Sequence, residues 1–355
     1  MARRSKSQKK NLEPSMLTFY LVGPDVGPGS AVFSHVDLSQ IASLANRRFY
    51  RQGLNWAVAG IKVATETGYT GAVTVSKLPN TWVMANAWEK SMRTWMKMNN
   101  EALSETESVR PRFLDFKVYA NERHHVAGYV ANMLPISTDG QYIAGEWDSS
   151  KIYVPTALNV SAAQTNDFEL IATGPNFPGP GASGLDAVSL VEGYAASRLL
   201  PNVLDPNAPD DAEDASGSTP HNWMAALFND GTVQTSEVIE DMITENNQAP
   251  YPFENGNDPN EFLPSGAPNP NWNLPFADTM YPGGANQGTG LEIHDFTTIT
   301  GTTIGGISRL KGGNFPCGLL EFRWTNTGET GTTIVQIDMI PGRHRGYLAE
   351  SMTEM

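Results

Sequence analysis

The first ten residues carry the strongest chemical signal in the sequence. They hold five basic side chains and no acidic one, namely Arg3, Arg4, Lys6, Lys9 and Lys10. Clustered Lys and Arg side chains attract phosphate groups, so this composition is typical of a nucleic-acid contact. It also fits a nuclear import signal or a solvated tail, and import and nucleic-acid binding are compatible roles.

Two further basic clusters lie in the body of the chain. The segment NRRFYRQGLNW combines Arg47, Arg48 and Arg51 with aromatic residues, a composition that can hold phosphates while nucleobases stack on the rings. Arg343 and Arg345 form a second cluster near the C-terminus. We predict that both clusters contact nucleic acid. The alternative for each is a structural segment whose arginines pair with acidic groups of the body.

The usual signatures of catalysis and of metal binding do not occur in the sequence. There is no phosphate-binding loop, dinucleotide fingerprint, H-E-x-x-H or C-x-x-C motif, and Ser183 lacks the G-x-S-x-G spacing of a hydrolase nucleophile. Adjacent residues on a strand point to opposite faces, so His124 and His125 are predicted to be a surface or loop pair. The acidic segment 254–262 could offer oxygens to Ca²⁺, but it lacks the EF-hand spacing. We therefore predict no catalytic residue, no cofactor and no metal.

The charge is divided unevenly along the chain. Beyond residue 10 there are 19 basic and 38 acidic residues, so the net charge of −14 combines a +5 arm with a −19 body. This split suggests a tail that binds an anion on a body that keeps a self-repelling surface. The acidic segment 205–214 is predicted to face outward. The single cysteine, Cys317, excludes an internal disulfide and is predicted to be buried, and no apolar stretch is long enough to span a membrane.

The elements that would position these clusters are mostly strands. Apolar and polar residues alternate in several segments, which is typical of half-buried antiparallel strands. About eight such strands with long connections favour a mainly β fold, an antiparallel jelly-roll β-sandwich with long loops and a few inserted helices. The predicted strands are 54–63, 71–78, 112–120, 151–154, 168–172, 290–298, 318–325 and 332–340, and the first two are expected to form a hairpin.

Helices are predicted between some of these strands. Asn86 and Glu89 resemble a capping box, and the Trp and Met residues that follow recur at helical spacing and should face the core. A short helix or turn is predicted at 39–51, and further helices at 185–199, 221–228 and 235–246. The predicted organisation is a basic arm (1–15), a shell domain (16–345) with loop insertions around 174–289, and a C-terminal tail (346–355).

Several segments resemble a known protein family. ASLANRRFYRQGLNWAVAGI and SKLPNTWVMANAWEKSMRTWMKMNNEALSE are similar to capsid proteins of small circular Rep-encoding single-stranded DNA viruses, as are VEGYAASRLLPN and MYPGGAN. The resemblance covers most of residues 38–345. It implies a jelly-roll coat protein that assembles into an icosahedral shell of about sixty copies around circular single-stranded DNA. It also implies import into the host nucleus through the basic arm, and location in the virion; the host surface receptor is unknown.

The arm departs from this family in its length. Many such coat proteins begin with a long arginine-rich arm, whereas this chain has five bases there. Sixty arms would supply about 300 positive charges, whereas the coding sequence for 355 residues alone needs roughly 1,070 nucleotides with one phosphate each. Other interior bases, small cations or polyamines, or a larger number of copies must therefore contribute.

A second class of function fits the same composition. A β-sandwich that recognises carbohydrate without assembling would expose clustered tryptophans on one face, whereas most tryptophans here fall within strand or helix patterns. A hydrolase has no supporting arrangement of acid, base or nucleophile.

Overall fold

Two antiparallel β-sheets form the centre of the molecule. The structure is a computed structural model, and it describes residues 15–105, 108, 111, 113–155, 165–176, 179–198, 224, 290–302 and 306–355. The strand order in the first sheet is β1 (Thr18–Val22), β13 (Thr333–Met339), β3 (Leu54–Thr65) and β11 (Ile307–Phe315), and β16 (Ala349–Ser351) also pairs with β3. The order in the second sheet is β10 (Glu292–Ile299), β4 (Gly71–Lys77), β12 (Leu319–Asn326) and β2 (Ala31–Asp37). The prediction of a mainly β fold with antiparallel sheets is confirmed.

The pairing of these strands follows one rule. If β16 is set aside and the other eight strands of the two sheets are counted in chain order, the first pairs with the eighth, the second with the seventh, the third with the sixth and the fourth with the fifth. Two further pairings, third with eighth and fourth with seventh, complete the sheets. The eight strands are thus one long antiparallel ribbon, folded so that two of its pairs lie in each sheet.

The two sheets face each other across one apolar core. Val335, Ile337 and Met339 are buried at alternate positions of β13, and Phe322 and Trp324 are buried at alternate positions of β12. Side chains from all eight strands belong to the same buried cluster. The alternation in the sequence therefore identifies which side of each strand faces the opposite sheet.

A long excursion separates β4 from β10. Its described elements are α2 (Trp82–Glu105), α3 (Glu122–Ala127), β5 (Ile136–Ser137), β6 (Gly140–Gln141), β7 (Lys151–Pro155), β8 (Thr165–Ile171), β9 (Asp186–Ser189) and α4 (Leu190–Arg198). They bury a second core, to which Cys317 and Leu319 at the start of β12 contribute. The excursion thus starts at residue 78, well before the segment 174–289, and none of its strands belongs to the two central sheets.

Both ends of the described chain are tied to the first sheet. Residues 346–355 were predicted to be a C-terminal tail. They contain β15 (Gly346–Tyr347), which pairs with β14 (Pro341–Gly342), and then β16, which pairs with β3. Tyr347 and Met352 are fully buried.

Three local predictions were wrong, and a fourth was wrong in part, because β9 occupies the first residues of the helix predicted at 185–199. β3 and β4 do not form a hairpin but lie in different sheets, where each pairs with strands late in the chain. α2 begins at Trp82, where the hydroxyl of Thr81 accepts a hydrogen bond from Met84 N, and Asn86 lies inside the helix. The segment 112–120 forms no strand among its described residues apart from one bridge at Tyr119, since side chains satisfy its backbone. The predicted helices at 221–228 and 235–246 lie outside the described residues, apart from Met224.

β11 was not predicted, because Gly312 and Gly313 interrupt its pattern. The structure gives a reason for the first of them: a Cβ atom added to Gly312 would lie 2.3 Å from the carbonyl oxygens of Val58 and Ala59 on β3. The two backbones approach too closely there for any side chain.

Replacing Gly312 by alanine should therefore lower the free energy of unfolding by about 1–3 kcal/mol, because β11 must move away from β3. Chemical denaturation measures the change. Gly301→Ala is the matched control, since nothing lies within 4 Å of an added Cβ at that position. Equal free energies of unfolding for the two variants would contradict the close approach of the β11 and β3 backbones at Gly312.

Candidate nucleic-acid interface

The five predicted basic residues in the body lie on exposed turns. Arg47 ends α1 (Leu38–Asn46), and Arg48 and Arg51 follow it before β3 begins. Arg343 and Arg345 lie in the turn between β14 and β15. All five residues are exposed, and they are called the arginine face below.

Direct contacts join the two clusters of the arginine face. The Arg345 guanidinium donates a hydrogen bond to the backbone oxygen of Phe49. It also lies 5.9 Å from the centre of the Tyr50 ring. The Tyr50 hydroxyl in turn donates to the backbone oxygen of Arg345 over 3.2 Å. Segments that lie 296 residues apart in the sequence are thus brought to one surface.

The N-terminal segment joins the body at the same surface. The hydroxyl of Ser15 lies 2.9 Å from that of Tyr50 and donates to the backbone oxygen of Arg345. Met16 N donates to the Asn46 side chain over 2.9 Å. The five bases of the arm lie outside the described residues, but Lys10 is five residues from Ser15, a span of at most about 18 Å.

Two residues of the arginine face have left-handed backbone conformations. Arg47 has a φ of 50° and Arg345 a φ of 49°. Glycine is the usual residue at such positions, and another residue costs roughly 1–2 kcal/mol there. Arg47 is the left-handed residue that ends α1, a common helix ending, and Arg345 lies in the turn that leads into β15.

A pocket of about 670 Å³ opens beside the arginine face. Arg51 and Arg345 line it, together with Asp115 and aromatic side chains that include Phe49 and Phe113. Burial raises the pKa of Asp115 to about 6, although Lys117 and Arg51 oppose the shift. The pocket thus combines aromatic surface with two guanidinium groups.

The structure overturns the prediction of a surface pair at His124 and His125. Both side chains are fully buried on α3, because adjacent residues of a helix are only about 100° apart and can both face inward. The ring of His124 stacks on that of His35 at 4.6 Å, and His35 lies 3.1 Å from the Glu321 carboxylate. His125 lies 2.9 Å from a carboxylate oxygen of Glu169. His124 therefore joins the excursion to the second sheet through His35, whereas His125 pairs with Glu169 inside the excursion.

Acid should weaken this junction through His124. Burial lowers the pKa of His124 well below its usual value, with a smaller contribution from His35. Below pH 6.5 the His124 imidazole is therefore protonated in the unfolded chain but stays neutral in the native chain. The free energy of unfolding consequently falls as the pH drops below 6.5.

A His124→Asn variant tests this pH dependence. The asparagine oxygen can replace Nδ1 as acceptor for Ala120 N. The native chain should lose stability relative to the variant by up to about 1.4 kcal/mol per pH unit below pH 6.5. Chemical denaturation at pH 7.5, 6.5, 6.0 and 5.5 measures the free energy of unfolding of both chains. The raised pKa of Asp115 has the opposite effect on stability, but it is present in both chains and cancels in the difference between them. Parallel curves would show that His124 does not titrate in this way.

The Asp37 carboxyl group is the centre of a second buried network. It caps α1 by accepting from Ser39 N at 2.8 Å and Gln40 N at 3.2 Å. It also accepts from the Gln52 amide at 3.0 Å and from the Trp147 indole at 3.1 Å. Burial raises its pKa, and hydrogen bonds from Ser39 and Gln52 oppose this shift. An aspartate directly before a helical pattern was the one sequence signal for this role.

The other predicted sites lie away from the arginine face or outside the described residues. Ser183 lies in an exposed turn, where its hydroxyl accepts from Leu185 N over 3.3 Å. Cys317 is buried, as predicted, and burial raises the pKa of its thiol. The segments 205–214 and 254–262 lie outside the described residues. Within the described ranges, no three His, Cys, Asp or Glu residues are grouped so that they could hold a metal ion.

Comparisons with protein families, curated proteins and solved structures gave no match to this chain. In the part of the chain that the structure describes, no helix combines the length and the apolar character needed to cross a bilayer.

Proposed function

We propose that this chain is the coat protein of a small circular Rep-encoding single-stranded DNA virus. Copies of it, about sixty in the simplest shell, enclose the genome, and the arginine face and the basic arm contact DNA phosphates without sequence preference. The arm also carries the protein into the host nucleus, where the shell assembles. The two central sheets form a jelly roll.

The strand pairing supports the jelly roll. A jelly roll arises when an eight-stranded antiparallel ribbon wraps into two facing sheets, and this topology requires the pairings first–eighth, second–seventh, third–sixth and fourth–fifth. The described strands have these four pairings. Viral coat proteins, lectins and cupins share this architecture, so the fold alone does not decide the function.

The observation that carries the functional proposal is the convergence at Ser15. The root of the arm, the cluster after α1 and the turn between β14 and β15 meet on one surface. A coat protein needs its DNA contacts on the single side that faces the genome, and the bases here share one surface although like charges repel each other.

Convergence also improves the charge balance. With five bases in the arm and five on the arginine face, sixty copies supply about 600 positive charges, twice the contribution of the arms alone. Mobile cations or polyamines then neutralise the remaining phosphates.

The carbohydrate-binding alternative has less support. It expects tryptophans clustered on an exposed face, but Trp56, Trp88, Trp95, Trp147 and Trp324 are all buried. Among the described tryptophans, none is exposed. Glycan-array binding by an isolated monomer would favour this alternative over a coat protein.

Expression of the full chain alone tests the proposal. Electron microscopy should show closed particles of uniform size, and nuclease treatment should leave protected nucleic acid inside them. Deleting residues 2–10 should reduce the protected nucleic acid while particles still form. Monomers or dimers as the only species would refute assembly, and unchanged packaging in the deletion variant would remove the arm from the DNA contact.

A further inference from the structure

The pocket beside the arginine face has walls suited to a planar ring. Phe113 is 54% exposed, and its ring centre lies 5.3 Å from that of Phe49. Behind them, Trp88, Trp95 and Phe116 form the buried part of the wall, with Trp95 and Phe116 at 5.6 Å. An exposed aromatic ring beside a pocket offers a face on which a planar ligand can stack.

The rim of the pocket carries positive charge. Arg51 and Arg345 line it and are exposed, and Asp115 is the one acidic residue among the lining side chains. Guanidinium groups beside aromatic rings hold a phosphate and a nucleobase at the same time, which is how sequence-tolerant binding of single strands operates. The apolar segment of a partner protein would gain nothing from this charge.

The size of the pocket also suits a base. The volume of about 670 Å³ is within the range of about 300–1,000 Å³ typical of small-ligand pockets.

We infer that this pocket binds an unstacked base of single-stranded DNA, with the exposed Phe113 ring stacking on the base, Phe49 packed against that ring, and Arg51 and Arg345 holding the adjacent phosphates. The inference rests on the proposed function and extends it, because a base-binding pocket selects single strands over duplexes, whose bases are already stacked. Charge attraction alone would not make that selection.

The experiment compares two strands of equal charge. Full-length subunits are mixed with a ten-nucleotide oligothymidylate or with an abasic strand of the same length, and affinity and tryptophan fluorescence are measured. The oligothymidylate should bind about tenfold more tightly and quench fluorescence. Phe113→Ala should weaken its binding about tenfold and leave the abasic strand unaffected. Phe296→Ala, at a 62% exposed phenylalanine on β10, should change neither.

Photo-crosslinking of the native chain provides a second readout that needs no variant. A strand that contains 5-iododeoxyuridine should crosslink to the peptides that carry Trp95 or Phe113. Equal binding of both strands, with no crosslink there, would overturn the base pocket and leave phosphate binding intact. Failure of both strands to bind at low salt would instead overturn the proposed function.

Discussion

Particles whose arginine face is neutralised should contain about half as much nucleic acid as native particles, because the face supplies five of the ten bases assigned to the DNA contact. The variant replaces all five residues by glutamine. Nuclease-protected nucleotides per subunit measure the change. Combined with deletion of residues 2–10, it should give nearly empty shells.

The control removes the same amount of charge from other surfaces. It replaces five basic residues on α2, β11 and β12 by glutamine, namely Arg93, Lys97, Arg309, Lys311 and Arg323. This variant should package as much nucleic acid as the native chain. Equal losses in the two variants would mean that net charge, and not the arginine face, sets the amount packaged.

Salt dependence gives a second measure of the same contact. For single strands the slope of log K against log salt concentration is about −0.7 per neutralised phosphate. Removing five arginines should therefore flatten the slope for a single-stranded oligonucleotide by up to about 3.5. The control variant should keep the native slope.

The largest loss of stability is expected from Asp37→Ala. Alanine removes the acceptor of the α1 cap and leaves the buried donors of the Ser39 hydroxyl and the Trp147 indole unsatisfied. Each unsatisfied buried donor costs about 1–3 kcal/mol and a lost cap about 0.5–2 kcal/mol, so the free energy of unfolding should fall by about 3–5 kcal/mol. Guanidinium denaturation followed by tryptophan fluorescence measures it.

Two further variants separate the carboxyl group from general effects of substitution. Asp139→Ala removes an exposed carboxylate in the turn between β5 and β6 and should leave stability nearly unchanged. Asp37→Asn keeps one acceptor oxygen and should cost less than alanine. A loss below about 1 kcal/mol for Asp37→Ala would contradict the network as described.

Local patterns predicted much of the fold and the positions of the basic clusters. Alternation located β3, β12 and β13 to within a few residues, and composition alone identified both clusters of the arginine face. Those features depend on short stretches of sequence. The pairing of the strands does not depend on short stretches of sequence, and β3 and β4 were wrongly predicted to pair for this reason. β11 was missed because Gly312 interrupts its alternating pattern.

The unpredicted parts of the site come from long-range contacts. Nothing near Ser15 in the sequence indicates that it meets Arg345, 330 residues later. The burial of His124 and His125 likewise depends on His35 and on distant carboxylates that supply their partners. Such polar contacts follow from the completed topology and have no local signature.

The pairing of first strand with last has a consequence for synthesis of the protein. Thr18 on β1 is paired with Asp338 on β13, so at about 5–20 residues per second the ribosome needs roughly 16–64 s to deliver the partner. Even β4 must wait for the whole excursion before β10 emerges. The nascent chain therefore carries unpaired strands for most of its translation, and its yield should depend on chaperones that shield those edges.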